Sequence, residues 1–255
     1  MAAPRLTWLG QGGFALASAH GIRVLVDPYV SNAAARVGLE RLLPSPVDLL
    51  ATPVDLVCIT HPHLDHLDPE AVPAWLARGA TLVAPPSVIA QAPALSPPDP
   101  GRLRTVRPGD RVACGDVAVT AVYARHTEDS LGFVCDLDGF RWYVTGDTLA
   151  SRRLVGAHTR ACTLLSVCIN GRLGNMGPRS AARLARSLGA AWAMPMHWGM
   201  FARNTRDPGE FLARLREEAP GTRGLVMEPF RGYALRPHAP GGPDVTPLPR
   251  LRGPR

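Results

Sequence analysis

One short block constrains this chain more than any other feature of its sequence. Residues 59–68 read ITHPHLDHLD. The block holds three histidines and two aspartates, His61, His63, Asp65, His66 and Asp68. Imidazole and carboxylate are the groups that bind zinc, manganese or iron in proteins. The apolar run 55–60 ends within the block, and Asp68 followed by Pro69 is a typical helix start. The block therefore predicts a metal-binding loop between a buried strand and a helix.

Short apolar runs rich in valine, leucine and isoleucine recur along the chain, and several are bounded by Gly, Pro or Asp, as strands usually are. We predict strands over 6–9, 14–17, 22–26, 55–60, 81–84, 117–124, 132–136, 141–145, 163–169 and 192–196. Hairpin-like turns are predicted at Ser18–Gly21 and Asp138–Gly139. Helical patterns cover 69–77, 178–189 and 208–218, and the proline-containing stretch 30–53 is predicted to be a loop. Strand clusters with interspersed helices and no linker predict one α/β domain with sheets packed between helices.

One loop rarely completes a metal site, so further ligands are expected after other strands. His126 follows the run 117–124, Asp147 follows WYVT in the segment TGDT, and His197 follows WAMPM. In α/β proteins the carboxyl ends of strands gather at one edge of the sheet, where ligands bind. We therefore predict that these three residues join the histidine-rich block. His20, His158 and His238 have no such placement and are expected to be ordinary histidines.

The formal net charge of +7 suggests a nucleic-acid partner only at first sight. All 28 basic residues are arginine, and residues 231–255 alone carry a net charge of +4. We predict one folded domain over 1–236. The Pro-, Gly- and Arg-rich tail 237–255 has no periodicity and is expected to be disordered. Because the folded part is only mildly basic, nucleic acid is not an expected partner.

Composition also bears on the compartment. No apolar run approaches the 18 or more residues that a membrane span needs, so no membrane partner is expected. The first ten residues lack the basic and apolar regions of a signal peptide. The cysteines are scattered and form no C-x-x-C pair: Cys58, Cys114, Cys135, Cys162 and Cys168. Free thiols, and therefore a cytoplasmic location, are expected. The sequence leaves open whether the chain forms a homo-oligomer.

The order His-x-His-x-Asp-His, a lone His, a Gly-Asp and a late His resembles the metallo-β-lactamase superfamily. The resemblance spans roughly residues 6 to 236. Within the superfamily the chain looks most like the L-ascorbate-6-phosphate lactonase-like branch. The segments that carry this likeness are TWLGQGGFAL (7–16), VDPYVS (26–31), RLLPSPVD (41–48), VTGDT (144–148), INGRLGNMG (169–177) and PMHWGMFARNTRDPGEF (195–211).

The resemblance implies an αββα sandwich, in which two mixed β-sheets face each other and helices cover the outer faces. It also implies two divalent ions. His61, His63 and His126 would hold one ion, and Asp65, His66 and His197 would hold the other, with Asp147 bridging the two. Histidine ligands without a thiolate suit Zn²⁺, whereas the aspartates and the lactonase-like branch favour Mn²⁺, and both ions stay open.

The expected function is a dinuclear metal-dependent hydrolase that acts on a small anionic ester, in the first place a lactone. Two ions roughly 3.5–4 Å apart can lower the pKa of a shared water towards about 7, so that a metal-bound hydroxide attacks the carbonyl. Asp65 or a metal-bound water would then return a proton to the leaving alkoxide. A phosphodiesterase of the same fold is the alternative. A non-enzymatic metal or nucleic-acid binder is a third reading.

Candidate substrate-binding residues follow the later strands: Asn170, Arg172, Arg179, Arg203 and Asn204. An arginine fork captures phosphate or carboxylate through two hydrogen bonds, and Arg179 also lies at a predicted helix start. In a chain whose only cation is arginine, each could equally be a solvated surface side chain. Asp27 and Tyr29 of the DPY turn are open to a structural or a catalytic role.

Overall fold

Two mixed β-sheets lie face to face in the computed structural model, which describes residues 3–91 and 99–249. The first sheet has eight strands in the order β15-β14-β1-β2-β3-β4-β5-β6. Its strands are β1 Arg5–Gly10, β2 Gly13–Ala17, β3 Arg23–Val26, β4 Leu56–Cys58, β5 Thr81–Ala84, β6 Leu103–Thr105, β14 Gly232–Arg236 and β15 Asp244–Pro247.

The second sheet has seven strands in the order β13-β12-β11-β10-β9-β8-β7. Its strands are β7 Arg111–Cys114, β8 Val117–Tyr123, β9 Leu131–Leu137, β10 Phe140–Val144, β11 Leu164–Cys168, β12 Trp192–Met196 and β13 Arg223–Gly224. Strands β10 to β13 run parallel, and every residue of β11 and β12 is buried. Continuous burial is typical of parallel strands that are covered on both faces.

The main core lies between the sheets. Phe14 of the first sheet meets Trp142 of the second edge to face, with ring centroids 5.2 Å apart, and both side chains are fully buried. A separate apolar cluster fills the outer face of the first sheet, where Val72 and Trp75 of a helix cover Val57. Sheets inside and helices outside make the αββα sandwich, and the predicted fold class is confirmed.

Each α-helix in the described residues carries a proline in its first turn, where the missing N–H group costs nothing. The helices are α1 Val72–Ala77, α2 Pro86–Ile89, α3 Pro178–Leu188 and α4 Pro208–Glu218. The predicted bounds of α3 and α4 are confirmed to within one residue. Helix α1 begins three residues later than predicted, because residues 69–71 form turns. Two short 3₁₀ helices, Ala33–Val37 and Val47–Ala51, lie within the stretch 30–53 predicted as a loop.

The prediction of a tail without regular structure from residue 237 is wrong for Asp244–Pro247. This strand, β15, pairs antiparallel with β14 and buries Val245. Main-chain hydrogen bonds to an open sheet edge stabilise an edge strand whose own sequence carries little periodicity. Residues 250–255 lie outside the described residues. Strands β6, β7, β13 and β14 were also missed. Strands β6, β7 and β13 are short and largely exposed, and the apolar run within β14 is only three residues long.

The predicted hairpin turns between β2 and β3 and between β9 and β10 are confirmed. The five cysteines are free, and all except Cys114 are buried, as predicted. The part of the chain that the structure describes contains no helix long and apolar enough to cross a bilayer.

Asp68 fastens the metal-binding block to the loop after β3. Its buried carboxylate accepts hydrogen bonds from the backbone N–H groups of Val30 and Ser31 at 2.9 and 2.7 Å, and from the Ser31 hydroxyl at 2.8 Å. It also accepts from the N–H groups of Glu70 and Ala71, ahead of α1, at 3.0 and 3.1 Å. One carboxylate therefore joins two segments that are distant in sequence.

We expect Asp68→Ala to lower the free energy of unfolding by about 2–4 kcal/mol, because several buried donors lose a charged acceptor. Urea denaturation of the metal-loaded protein measures this change. Asp207→Ala is the matched control, since Asp207 caps α4 at an exposed position through one hydrogen bond to Gly209, and it should cost about 1 kcal/mol. Equal losses in the two variants would contradict the fastening role of Asp68.

Candidate metal centre

The carboxyl ends of β4, β8, β10 and β12 meet at one edge of the sandwich. The block 59–68 follows β4, and His126, Asp147 and His197 follow the other three strands. Ligand atoms of three overlapping groups lie within 4.8 Å of one another: His61, His63 and His126; His61, His66 and Asp147; and Asp65, His66 and His197. The structure thus brings together all seven predicted ligands.

The first group consists of three imidazoles. Nε2 of His61 lies 3.0 Å from Nδ1 of His63, and the same Nδ1 lies 3.2 Å from Nε2 of His126. A ring nitrogen has one hydrogen or one lone pair, so Nδ1 of His63 can form a good hydrogen bond with only one of these neighbours. Three nitrogens about 3 Å apart suit a cation between them, because metal–nitrogen bonds of about 2.0–2.1 Å place tetrahedral ligands at about that separation.

The group of Asp65, His66 and His197 joins two imidazoles and a carboxylate. Oδ2 of Asp65 lies 3.7 Å from Nε2 of His66 and 3.7 Å from Nε2 of His197. All three residues are buried, although Asp65 keeps 7% of its surface exposed and lines a cavity above the site. A buried carboxylate between two imidazole nitrogens is a hard oxygen and nitrogen donor set, which suits zinc or manganese.

Asp147 lies between the all-histidine group and the group that contains Asp65. Its Oδ2 is 3.1 Å from Nε2 of His197 and 3.7 Å from Nε2 of His126, and its Oδ1 is 3.5 Å from Nε2 of His66. The two atoms of that last pair, Asp147 Oδ1 and His66 Nε2, are buried and have no hydrogen-bond partner among the described residues. A buried polar atom without a partner costs about 1–3 kcal/mol, and a cation between the two atoms removes that cost for both. The donor set therefore fits a metal.

The electrostatics of the site also favour positive charge. Burial opposes the protonation of His66, but the carboxylates of Asp147, Asp65 and Asp27 outweigh it and raise the pKa of His66 to about 10. Burial opposes ionisation of Asp147, yet His197 and His66 hold the pKa of Asp147 well below its ordinary value. Burial, together with His66, lowers the pKa of His61 well below its ordinary value. A neutral His61 beside an ionised Asp147 has the protonation state that metal ligation requires, and a cation bound there would replace the proton on His66.

A further aspartate, Asp27, supports these ligands. Its buried Oδ2 lies 2.7 Å from Nδ1 of His66 and accepts a hydrogen bond from the Thr60 hydroxyl at 2.7 Å, and its Oδ1 accepts from Thr60 N–H at 2.8 Å. The hydrogen bond to Nδ1 leaves Nε2 of His66 as the ligand atom. The sequence left Asp27 open between a structural and a catalytic role, and the structure places it behind the ligands. Its position directly after β3 is the signal that could have identified it.

Two amide side chains next to the ligands were not singled out from the sequence. Nε2 of Gln11 donates to Asp65 Oδ2 at 2.8 Å and lies 2.9 Å from His197 Nε2. Nδ2 of Asn175 donates to Asp147 Oδ2 at 2.8 Å. The turn at Gln11 can approach His66 closely because the next residue, Gly12, has no side chain. A Cβ atom at Gly12 would lie 2.7 Å from Cε1 of His66.

The cavity above the centre has a volume of about 390 Å³. Its lining contains four ligands and six other residues: His63, Asp65, His126 and Asp147, with Ala34, Val37, Leu39, Leu64, Leu173 and Asn204. Asn204 is the predicted substrate-binding residue that the structure places in this lining. Asn170 lies behind it, is buried, and donates from Nδ2 to Asn204 Oδ1 at 2.7 Å. Asn170 therefore positions Asn204.

The structure does not place the predicted arginines in this lining. The guanidinium of Arg172 is exposed and donates to the carbonyl oxygen of Arg203 at 3.0 Å. Nε of Arg179 lies 3.6 Å from Oε1 of Glu218, at the end of α4. A carboxylate on the neighbouring helix therefore provides the counter-charge of Arg179.

The fold and the metal-binding geometry define a metal-dependent hydrolase of the metallo-β-lactamase fold. The family model described as "beta-lactamase superfamily domain" matches residues 22–198, and the chain belongs to that family. A "UPF0173 metal-dependent hydrolase" from Nitratidesulfovibrio vulgaris is 32% identical over 241 residues, which cover 91% of this chain and 95% of that protein. The chain therefore belongs to the UPF0173 metal-dependent hydrolases.

Two further comparisons agree. A "UPF0173 metal-dependent hydrolase" from Aeropyrum pernix is 30% identical, over 90% of this chain and 96% of that protein. Among solved structures, Igni18, described as a novel metallo hydrolase from Ignicoccus hospitalis, has a TM-score of 0.74 and 22% identity, covering 91% of this chain and 97% of that one. The likeness to Igni18 shows the shared fold.

We expect Asp27→Asn to weaken metal binding about 10- to 100-fold, the usual effect of losing a residue that orients a ligand. Both carboxylate oxygens of Asp27 face donors, so either orientation of an amide would place its NH₂ against a donor. Competition with a chromogenic chelator measures the affinity. Asp116→Asn is the matched control, because Asp116 accepts from Ser18 and takes no part in the metal centre. Unchanged affinity in Asp27→Asn would show that Asp27 does not support the ligands.

Proposed function

We propose that this chain is a dinuclear metal-dependent hydrolase that opens a small ester, in the first place a lactone. The observation that carries the proposal is the position of Asp147, whose two oxygens approach ligands of both groups. A carboxylate shared in this way suits two ions better than one. The lactone rests on the likeness of segments 7–16, 144–148 and 169–177 to the lactonase-like branch.

Two Zn²⁺ or Mn²⁺ ions held there would polarise the ester carbonyl and make a nucleophile of water at neutral pH. The residues of the chain have separate tasks. His61, His63 and His126 would hold one ion, Asp65, His66 and His197 would hold the other, and Asp147 would be shared by both. Asp65, which lines the cavity, or a second water would accept the proton that the attacking water releases and pass it to the leaving alkoxide. Asn204 lies in the same lining and can donate to the substrate.

The alternative of a phosphodiesterase has less support. No arginine is among the described residues that line the cavity, and arginine is the side chain that suits a phosphate diester best. Because no arginine is among these lining residues, the anionic group predicted for the substrate also stays a prediction. Five free cysteines support a cytoplasmic location for the activity.

We expect the protein saturated with Zn²⁺ or Mn²⁺ to hold about two ions per chain, since two ligand groups share one bridging carboxylate. Elemental analysis after gel filtration measures the content. His63→Ala and Asp65→Ala should each remove one ion, because each contributes to one group. His158→Ala, at an exposed position remote from the centre, should keep both ions. A saturated wild-type protein that holds only one ion, with the same content in Asp65→Ala, would reject the dinuclear site.

We expect Asp147→Ala to lower kcat/KM at least about 100-fold, the scale on which a strong electrostatic contribution is lost. The assay is a panel of lactones, phosphodiesters, thioesters and β-lactams, measured with each metal. Asp48→Ala, at an exposed position, should keep full activity. Hydrolysis of phosphodiesters alone would replace the lactonase proposal with the alternative, and near-normal activity of Asp147→Ala would refute the assigned site.

A further inference from the structure

Leu173 occupies a position that is unfavourable for a leucine in two respects. Its side chain is 68% exposed, although it is large and apolar. Its backbone is also left-handed, with φ of 53°. Glycine adopts this conformation readily, but among L-residues only asparagine and aspartate do so with any frequency. Backbone strain of this kind clusters at ligand-binding sites, where the surrounding structure enforces it. Leu173 lines the cavity above the metal centre.

The loop around Leu173 is anchored to the metal centre. Gly171 N–H donates to the carbonyl oxygen of Met176 at 3.0 Å, and Asn175 N–H donates to that of Arg172 at 3.1 Å. The Asn175 side chain then bonds Asp147, and Met176 N–H donates to the carbonyl oxygen of Thr148 at 2.9 Å. The position of Leu173 relative to the bridging carboxylate is therefore set by hydrogen bonds on both sides of the strained residue.

The rest of the uncharged lining is apolar too, apart from Asn204. We call the set Ala34, Val37, Leu39, Leu64 and Leu173 the apolar wall. Val37 is 64% exposed and ends a 3₁₀ helix, and Leu64 lies inside the histidine-rich block. Scattered exposed apolar residues need no explanation, but several that gather around a cavity containing metal ligands are typical of a small-molecule site.

The charged groups in this lining are all predicted metal ligands, and two nearby arginines, Arg36 and Arg41, have partners elsewhere. Arg36 pairs with Glu70, and the Arg41 guanidinium donates to the carbonyl oxygens of Tyr29, Leu43 and Pro44. Arg172 is bonded to the backbone, and no arginine is among the described residues that line the cavity. A charged substituent beside the apolar wall would lose its hydration, and no arginine of the lining would replace it.

We propose that the substrate carries an uncharged apolar substituent beside its scissile bond, and that Leu173 with the apolar wall selects it. The proposal rests on the proposed hydrolase function and departs from the anionic substrate that the arginines predict. The cavity of about 390 Å³ accommodates a small ester with a short alkyl or aromatic group. Leu173 thus determines specificity, whereas the metal ligands perform the reaction.

The test compares three γ-lactones on the metal-loaded protein: γ-butyrolactone, γ-nonalactone, and a γ-lactone whose side chain ends in a carboxylate. We expect kcat/KM for γ-nonalactone to exceed that for γ-butyrolactone at least about 10-fold, since part of the pentyl chain leaves water. The carboxylate-bearing lactone should be the poorest substrate of the three. Equal rates for all three, or a preference for the carboxylate that Arg172→Ala abolishes, would overturn the proposal.

Leu173→Ala should raise KM for γ-nonalactone about 3- to 10-fold while keeping kcat, and should raise KM for γ-butyrolactone less, because that lactone has no alkyl chain to contact Leu173. Leu42→Ala is the matched control, because Leu42 is 61% exposed and lies outside the lining. It should change neither substrate. An equal effect of the two variants would overturn the role of Leu173.

A binding measurement separates this proposal from the hydrolase function. Calorimetry with 2-pentylcyclopentanone, which cannot be hydrolysed, should give tighter binding than cyclopentanone, and Leu173→Ala should remove the difference. Such binding without hydrolysis of any ester would uphold the apolar wall and refute the hydrolase proposal. Lactone hydrolysis without any effect of the alkyl chain would uphold the hydrolase proposal and refute the apolar wall.

Discussion

The structure depends on a concentration of buried polar groups at the one edge where both sheets end. Seven imidazole and carboxylate side chains lie there. Five of them, all except His63 and His126, are buried, and such groups are costly to bury unless they are paired or bind a metal. The site meets this constraint in two ways. Its donor atoms face one another at separations that suit cations, and a surrounding set of residues, including Asp27, Gln11 and Asn175, supplies hydrogen bonds to the ligands.

The backbone around the centre is strained in a way that follows from this concentration. Four of the non-glycine residues with positive φ in the described part of the chain lie at the site: Gln11, Asp27, Leu173 and His197. Each either is a ligand, bonds a ligand or lines the cavity. Strain of about 1–3 kcal/mol at each position persists only where tertiary structure enforces it. The rigid sandwich beneath, with its continuous buried core, provides that support.

The predicted metal ligands and the apolar wall come from different parts of the same edge. The ligands come from loops directly after β4, β8, β10 and β12, whereas much of the apolar wall comes from the 3₁₀ helix at Ala33–Val37 and from the loop around Leu173. A change in the wall can therefore alter what binds without disturbing the metal centre. The two parts are joined at Asn175, which bonds Asp147 from the same loop that carries Leu173.

The sequence by itself determined the candidate ligands, the order in which they occur and the strands that precede them. A ligand directly after an apolar run is a local pattern, and so are the proline and glycine residues that bound α3, so both can be recognised without the fold. The fold class followed from the same patterns and from the resemblance of the ordered ligands to a known superfamily.

Only the tertiary structure decided which distant residues became partners. Asp27 reaches His66, Arg179 turns to Glu218 on a neighbouring helix, and β15 adds to the edge of β14. It also decided that the cavity is lined by leucine and valine in place of arginine. The physical reason is that these outcomes depend on long-range packing and on competition between partners. Neither leaves a periodic signal in the residues concerned, whereas strands, helices and their ligands are encoded by near neighbours.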